Sequence, residues 1–334
     1  MRISKIASFS ILLVALFIFV AEGTVVPALD LDSLVQDSSL IVTGRIVSLR
    51  DEGRTTISNG ELLVEAQAYT ATLRVDHILK GTASSGDTVF SYYLPTVNIG
   101  WSNVLPSQYA VFFFRNDAGK LEFTSAYHPY LPTVPGTVSE VASPIRKVVS
   151  ALENSLSSPI VTLDQKAMTI FYLTRSKSSA ATEALRAAVC NADRELSLDA
   201  VAGLLERNDT SALEAAKKAL LEPTPEISAR VVHNLTYSIS EGVTDTDAIP
   251  VLNQLSYSNR IEVRRAVASA LVHIKSPTSK DLQIRLLSDA DFETRYYAAV
   301  GLAESAGQKE WHPSMEQFRA EESRYVSHWR ETSQ

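Results

Sequence analysis

Histidine serves both as a metal ligand and as a general base, so the histidines are the first candidates for chemistry. The chain has six: His77, His128, His233, His273, His312 and His328. No two lie within four residues of each other and none precedes a glutamate, so the zinc-protease pattern H-E-x-x-H is absent. The patterns G-x-S-x-G, G-x-G-x-x-G and the P-loop are absent as well. These absences predict a protein that is not an enzyme and holds no metal or cofactor.

Three ring-bearing side chains fall on predicted loops or strand ends, where partner-binding residues concentrate. Trp101 lies in a predicted loop, and Tyr127 and His128 follow a predicted strand in the segment Y-H-P-Y. An aromatic residue on a loop is a common anchor for a protein partner. We therefore predict partner contacts at these three positions. The alternative for Trp101 is that it covers the core of this part of the chain. The alternative for Tyr127 and His128 is that they pack at the rim of that core.

The C-terminal half repeats one helical unit, seen best in residues 261–274 (IEVRRAVASALVHI). Its apolar residues fall three and four apart, which predicts one buried stripe of an α-helix. Similar cores end at leucines spaced by about thirty to thirty-six residues, the spacing of stacked helical hairpins. A second predicted helix follows or separates the copies, at 211–221, 247–255 and 279–287. The four leucines are Leu204, Leu235, Leu271 and Leu302.

The segments V-R-R-A-V-A-S-A-L, T-R-Y-Y-A-A-V-G-L and D-A-I-P-V-L-N-Q-L resemble HEAT repeats, particularly the short bacterial HEAT-like kind. The resemblance covers roughly residues 163–318. It implies an all-α solenoid whose curved stack offers an inner face to a partner. The alternative is an ordinary helical bundle.

Polar residues lie off the apolar stripe on the helices between the repeats. If these helices line the concave face, they form a mixed polar strip that suits a peptide or protein partner. We select Lys217, Gln254 and Gln283 from this strip as predicted partner contacts; a merely solvated face is the alternative. The strip comprises Glu214, Lys217, Lys218, Asn253, Gln254, Lys280 and Gln283.

The N-terminal part alternates apolar and polar residues, which predicts strands at 39–49, 62–78, 88–94, 108–115 and 121–127. Five strands, with a bend at Gly44, predict a small antiparallel barrel of the OB type. The segments S-L-I-V-T-G-R-I-V and Q-Y-A-V-F-F-F resemble exported bacterial domains similar to the netrin/TIMP-like fold. The N-terminal cysteine used by TIMP-like inhibitors is missing. The predicted fold class is therefore α+β with two domains: a barrel at 24–135, a helical linker at 136–162 and a HEAT-like solenoid at 163–330.

The first residues have the pattern of a secretory signal peptide. Arg2 and Lys5 precede an apolar run at 11–20, and small residues at positions 21 and 23 predict cleavage before Thr24. We predict a secreted or periplasmic bacterial protein without a stable membrane span after cleavage; an uncleaved anchor is the alternative. The only cysteine, Cys190, excludes an internal disulfide and is predicted to be buried.

The charge composition excludes one class of partner. The net charge is −7 and basic residues do not cluster with aromatic ones, so we expect no nucleic-acid partner. The first hypothesis is a non-catalytic exported binding or scaffold protein with an unidentified protein or peptide partner. The second is an inhibitor of an exported protease that acts through the barrel. The third is an enzyme with an unrecognised site in the cleft between the domains. HEAT-like repeats also occur in bilin lyases, but an exported chain has no obvious access to that chemistry.

Overall fold

The computed structural model describes residues 28–59, 62–83, 86–97, 102–105, 107–117, 119–138, 143–222 and 226–332. An antiparallel sheet is followed by a succession of helices, so the predicted α+β arrangement is confirmed. Trp101 and the predicted signal peptide lie outside the described residues.

The strands are β1 (Leu40–Asn59), β2 (Leu62–Lys80), β3 (Asp87–Pro95), β4 (Tyr109–Asp117), β5 (Lys120–Phe123) and β6 (Tyr130–Pro132). They form one sheet in the order β3-β2-β1-β4-β5, and β6 pairs with β4. The long strands β1 and β2 form a hairpin whose register shifts at Gly44, where an added Cβ would lie 2.2 Å from the carbonyl oxygen of Arg74. This close approach explains why a glycine stands at the predicted bend.

Strand β4 lies inside the sheet and is buried on both faces, as its continuous apolar run predicts. Phe112 and Phe114 point into the core enclosed by the sheet. Val111 and Phe113 point the other way, into the core shared with the helices. Because successive side chains of a strand point to opposite faces, β4 contributes side chains to both cores.

The sheet is rolled but is not a closed barrel, so this part of the prediction was wrong. No hydrogen-bonded ladder joins β3 to β5 among the described strands. The rings of Phe90 and Phe123 instead fill the seam, with their centroids 5.0 Å apart. β5 ends at Phe123, four residues earlier than predicted, which leaves little backbone for pairing across the seam.

The helices follow in the order α1 (Leu31–Asp37), α2 (Pro144–Ser157), α3 (Leu163–Thr174), α4 (Ser179–Ala188), α5 (Arg194–Glu206), α6 (Leu213–Leu221), α7 (Ala229–Gly242), α8 (Ile249–Leu255), α9 (Ile261–Ile274), α10 (Lys280–Leu286), α11 (Phe292–Ala306) and α12 (Met315–Glu331). Helices α1 and α2 adjoin the sheet. The helices of the C-terminal part stack in two rows. The inner row consists of the repeat helices α3, α5, α7, α9 and α11, and the outer row of α4, α6, α8, α10 and α12.

One continuous apolar core joins the sheet to the helices. It runs from α1 across the outer face of the sheet, through Val149 and Leu152 of α2, and along the stack to Trp329. Asp32 of α1 reinforces the contact, because its carboxylate accepts hydrogen bonds from the Ser176 hydroxyl (2.7 Å) and the Lys177 amide (2.6 Å). Helix α2 is thus a packed junction element. The domain boundaries at residues 135 and 163 stay predictions.

Two arginines of α9 pair with the acidic residues that precede the next inner-row helix, α11. Arg264 contacts Asp289 (2.7 Å) and Arg265 contacts Asp291 (2.6 Å), which is also the N-cap of α11. Such charge-assisted pairs fix the register of neighbouring helices.

The pair formed by Arg265 and Asp291 makes stability depend on acid pH. The hydrogen bond from Arg265 holds the pKa of Asp291 well below its usual range, and bonds from Thr294 act in the same direction. A lowered folded-state pKa contributes stability that is present above the unfolded value of about 3.9 and is lost as the pH falls further. We expect the free energy of unfolding, measured by urea titration between pH 5 and pH 3, to fall less steeply in Asp291→Asn than in the wild type. Arg265→Gln should flatten the same slope, whereas coincident slopes for all three proteins would contradict the assignment.

Candidate functional site

The inner row forms the concave side of the stack. Its consecutive helices contact each other more extensively than the helices of the outer row do. In a curved stack the more closely spaced row lies on the inside. The helices between the repeats, which the sequence analysis considered for the concave face, therefore belong to the outer row.

A groove with a volume of about 460 Å³ opens on this side, above α5 and between α3 and α7. Its floor contains the small residues Ala202 and Gly203 of α5. Its walls carry Met168 and Phe171 from α3 and Tyr237 from α7, whose exposed fractions are 48%, 44% and 51%. Large apolar side chains that remain half exposed on both sides of a narrow floor are typical of a binding surface.

The floor is low because α5 presents two small residues, Ala202 and Gly203, to the groove. An added Cβ on Gly203 would lie 2.4 Å from the hydroxyl oxygen of Thr174 in α3. The close packing of α3 on α5 thus requires a minimal side chain at this position. The same absence of a side chain leaves the space of the groove.

One end of the groove carries a network around a buried carboxylate. Asp199 is only 5% exposed and accepts two hydrogen bonds from Arg230, at 2.7 and 2.9 Å, and one from Asn234 at 3.1 Å. Arg230 also contacts Glu195 at 3.2 Å. The hydrogen bond to Asp199 raises the pKa of Arg230 above its ordinary value. The exposed Asp164 of α3 lines the same groove and adds a further carboxylate.

The other end carries more basic residues. Arg175 pairs with Glu206 at 2.7 Å, and its guanidinium carbon lies 5.0 Å from the ring centroid of Phe171. A second cavity of about 560 Å³ adjoins this end and is lined by Lys177 and Arg207. Burial lowers the pKa of Arg207 from its ordinary value, against the opposing charges of Asp32 and Asp209.

The predicted contacts of the outer row separate into two kinds. Lys217 and Gln254 lie together, with the Lys217 ammonium 3.0 Å from the Gln254 side-chain oxygen. Gln283 is fully buried and donates to the Leu271 carbonyl oxygen at 3.3 Å, so its prediction as a surface contact was wrong. The reason is Gly301 of α11, which leaves the space that the Gln283 amide occupies.

The predicted contacts of the sheet lie away from the groove. Tyr127 and His128 follow β5 in a turn and are partly buried. The Ser102 hydroxyl donates to the Tyr127 carbonyl oxygen at 2.7 Å, and the His128 amide donates to the Ser125 hydroxyl at 3.1 Å. Trp101 cannot be placed with them, since it falls outside the described residues.

The groove was not among the predicted contacts, although the sequence carries a signal for it. Met168, Phe171 and Tyr237 are large apolar residues that stand off the buried stripes of their helices. They flank the smallest residues of the intervening helix, Ala202 and Gly203. Large residues off the stripe beside small residues on the next repeat are the pattern that indicates such a groove.

No family model and no curated protein matches the chain. Among solved structures, it is similar to the CpcE and CpcF complex of phycocyanin lyase from Nostoc sp. PCC7120, at 17% identity over 53% of this chain and 70% of the other, with a TM-score of 0.37. It is also similar to an engineered protein, at 16% identity over 56% of this chain and 91% of the other, with a TM-score of 0.32. At these identities the similarity concerns the fold alone.

The first match corrects one prediction. The sequence analysis predicted a protein that is not an enzyme, because recognised catalytic motifs are absent. The match with a phycocyanin lyase, an enzyme, contradicts that prediction. Missing motifs therefore do not exclude catalysis by this protein.

Two further findings concern the described residues as a whole. None of their helices is long and apolar enough to cross a membrane, and they contain no group of three or more His, Cys, Asp or Glu that could hold a metal ion. Cys190 is exposed, so its predicted burial was wrong. It lies just beyond the last turn of α4, where the chain leaves the apolar contact of the helix.

The groove depends on how closely α7 approaches α5. An added Cβ on Gly242 of α7 would lie 2.2 Å from the carbonyl oxygen of Leu205. Because a backbone atom cannot swing aside, we expect Gly242→Ala to lower the free energy of unfolding by about 1–3 kcal/mol in urea titrations. The neighbouring exposed position supplies a control, and Glu241→Ala should change it by at most about 0.5 kcal/mol. Equal stability of the two variants would mean that the helices do not approach this closely.

Proposed function

We propose that this protein is a binding or scaffold protein that holds a protein partner in the groove between α3 and α7. The observation that carries the proposal is the set of half-exposed side chains Met168, Phe171 and Tyr237 around a floor of small residues. Covering water-exposed apolar surface with a partner lowers the free energy of the complex. A contiguous apolar surface with charged ends is typical of a protein interface.

The size of this gain indicates what the partner must contribute. Fully burying a large apolar side chain is worth about 1.5–3 kcal/mol, so covering the exposed half of three yields roughly 2–5 kcal/mol. Association itself costs about 4–15 kcal/mol. The groove therefore serves as the anchor of a larger interface, and its charged ends supply further contacts.

Photocrosslinking tests the proposal in the cells that express the protein. A benzophenone amino acid at position 171 or 237 should crosslink to a defined partner, which mass spectrometry identifies. The same group at Lys218, on the exposed side of α6, provides the control and should not crosslink to it. With the purified partner, Phe171→Ala and Tyr237→Ala should each weaken binding by about 2 kcal/mol, the size of a hot spot, at unchanged melting temperature. Equal crosslinking from all three positions would refute the proposal.

We also propose that the protein is exported after removal of residues 1–23. The support is the order of a positive start, an apolar run and small residues at positions 21 and 23. Expression in a bacterium should place a protein that begins at Thr24 in the periplasm or the medium, as intact-mass measurement can verify. Ala21→Arg should leave the longer chain in the membrane fraction. Recovery of the uncleaved wild-type chain from the cytoplasm would contradict the proposal.

For the fold, we propose an OB-type sheet followed by a HEAT-like solenoid. The first part is supported by five principal strands rolled so that β3 and β5 meet at the seam. The second is supported by the repeat spacing and by the pairing of arginines with the acidic start of the next inner-row helix.

A further inference from the structure

We propose that the groove takes a segment of its partner in an extended conformation, with two apolar side chains in the groove and a basic residue at the end that carries Asp164. This inference rests on the proposed function and specifies the partner of the same site. It is carried by the width of the groove, its length and the distribution of charge along it.

The width favours an extended segment over a helix. Neighbouring packed helices lie about 8–10 Å apart, so the axes of α3 and α7, which flank α5, lie roughly 16–20 Å apart. Each helix with its side chains is about 10–12 Å across, which leaves roughly 4–10 Å between the two walls. An extended chain needs about 5 Å in the direction of its neighbours, whereas a helix does not fit between the walls.

The length sets how many residues the groove holds. Its floor runs along α5 from Asp199 to Glu206, a span of about 10 Å at 1.5 Å per residue. An extended chain covers this distance with about three residues, and alternate side chains point the same way. Two apolar side chains separated by one residue therefore face the floor between Phe171 and Tyr237.

The charges at the two ends differ. At one end the carboxylates of Asp164, Glu195 and Asp199 face the single guanidinium of Arg230, which leaves a net charge of −2. At the other end Asp32 opposes the charge of Arg207, and the basic and acidic side chains balance to a net charge of zero. These side chains are Arg175, Lys177, Arg207, Asp30, Asp32 and Glu206.

Among the carboxylates of the negative end, Asp164 is the one without an ion pair in the described part of the chain. It is also exposed. A lysine or arginine of the partner therefore finds its opposite charge there. The balanced charges of the other end favour neither sign of charge in the partner.

Fluorescence anisotropy with the full chain and labelled synthetic octapeptides tests the inference. The peptides share an apolar-x-apolar centre and carry Lys, Gly or Glu next to it. We expect affinity to fall in the order Lys, Gly, Glu by about threefold at each step. Proline between the two apolar residues, which excludes a helix, should preserve binding, and the helix-favouring aminoisobutyrate should weaken it about tenfold.

A pair of charge variants tests the role of Asp164. Asp164→Lys should reverse the order, so that the Glu peptide binds more tightly than the Lys peptide. Asp281→Lys changes an exposed aspartate of α10 in the outer row and should leave the order unchanged. An order that Asp164→Lys does not alter would overturn the charge assignment.

The outcomes separate this inference from the proposed function. If aminoisobutyrate peptides bind more tightly and Phe171→Ala abolishes that binding, the groove holds a helix; the extended segment is then wrong and the proposed function stands. If no peptide binds at about 1 mM while the partner found by crosslinking still needs Phe171, the inference is overturned alone. If neither peptides nor partner depend on Phe171 and Tyr237, both fail.

Discussion

The close approach of neighbouring helices along the inner row is the constraint on which the rest of the structure depends. An added Cβ on Gly242 of α7 would collide with the backbone of α5, and one on Gly203 of α5 would collide with the Thr174 hydroxyl of α3. Helices that approach so closely on one side must diverge on the other, which gives the stack its curvature. Gly203 also lowers the floor of the groove, so one packing requirement produces both the curved stack and its binding surface.

The parts of the fold that follow from periodicity could be predicted from the sequence. The repeat helix at 261–274 was predicted to the residue, because its apolar spacing is set by a local period. The centre of the sheet was also predictable, since only a strand buried on both faces tolerates a run such as A-V-F-F-F.

What the sequence could not supply depends on contacts between distant segments. Whether the sheet closes into a barrel depends on whether β3 and β5 are joined by backbone hydrogen bonds or only by contacts between aromatic rings. The burial of Gln283 depends on Gly301, which lies eighteen residues later in the chain, in α11. The groove required knowledge of which row is concave, and that is decided by interhelical distance and not by the pattern of any single helix. Export and the extent of the domains stay predictions.

The ends of the stack have a consequence for assembly. A helical repeat array with bare ends exposes an apolar face that another copy could continue, in a head-to-tail contact that builds filaments. Here the first repeat is covered by α1, α2 and the sheet, with Asp32 bound to the backbone beyond α3. The last is covered by α12, which buries Phe318, Tyr325 and Trp329 and turns its charged residues outward. Both ends of the described stack are therefore covered, which disfavours its head-to-tail extension by a second copy.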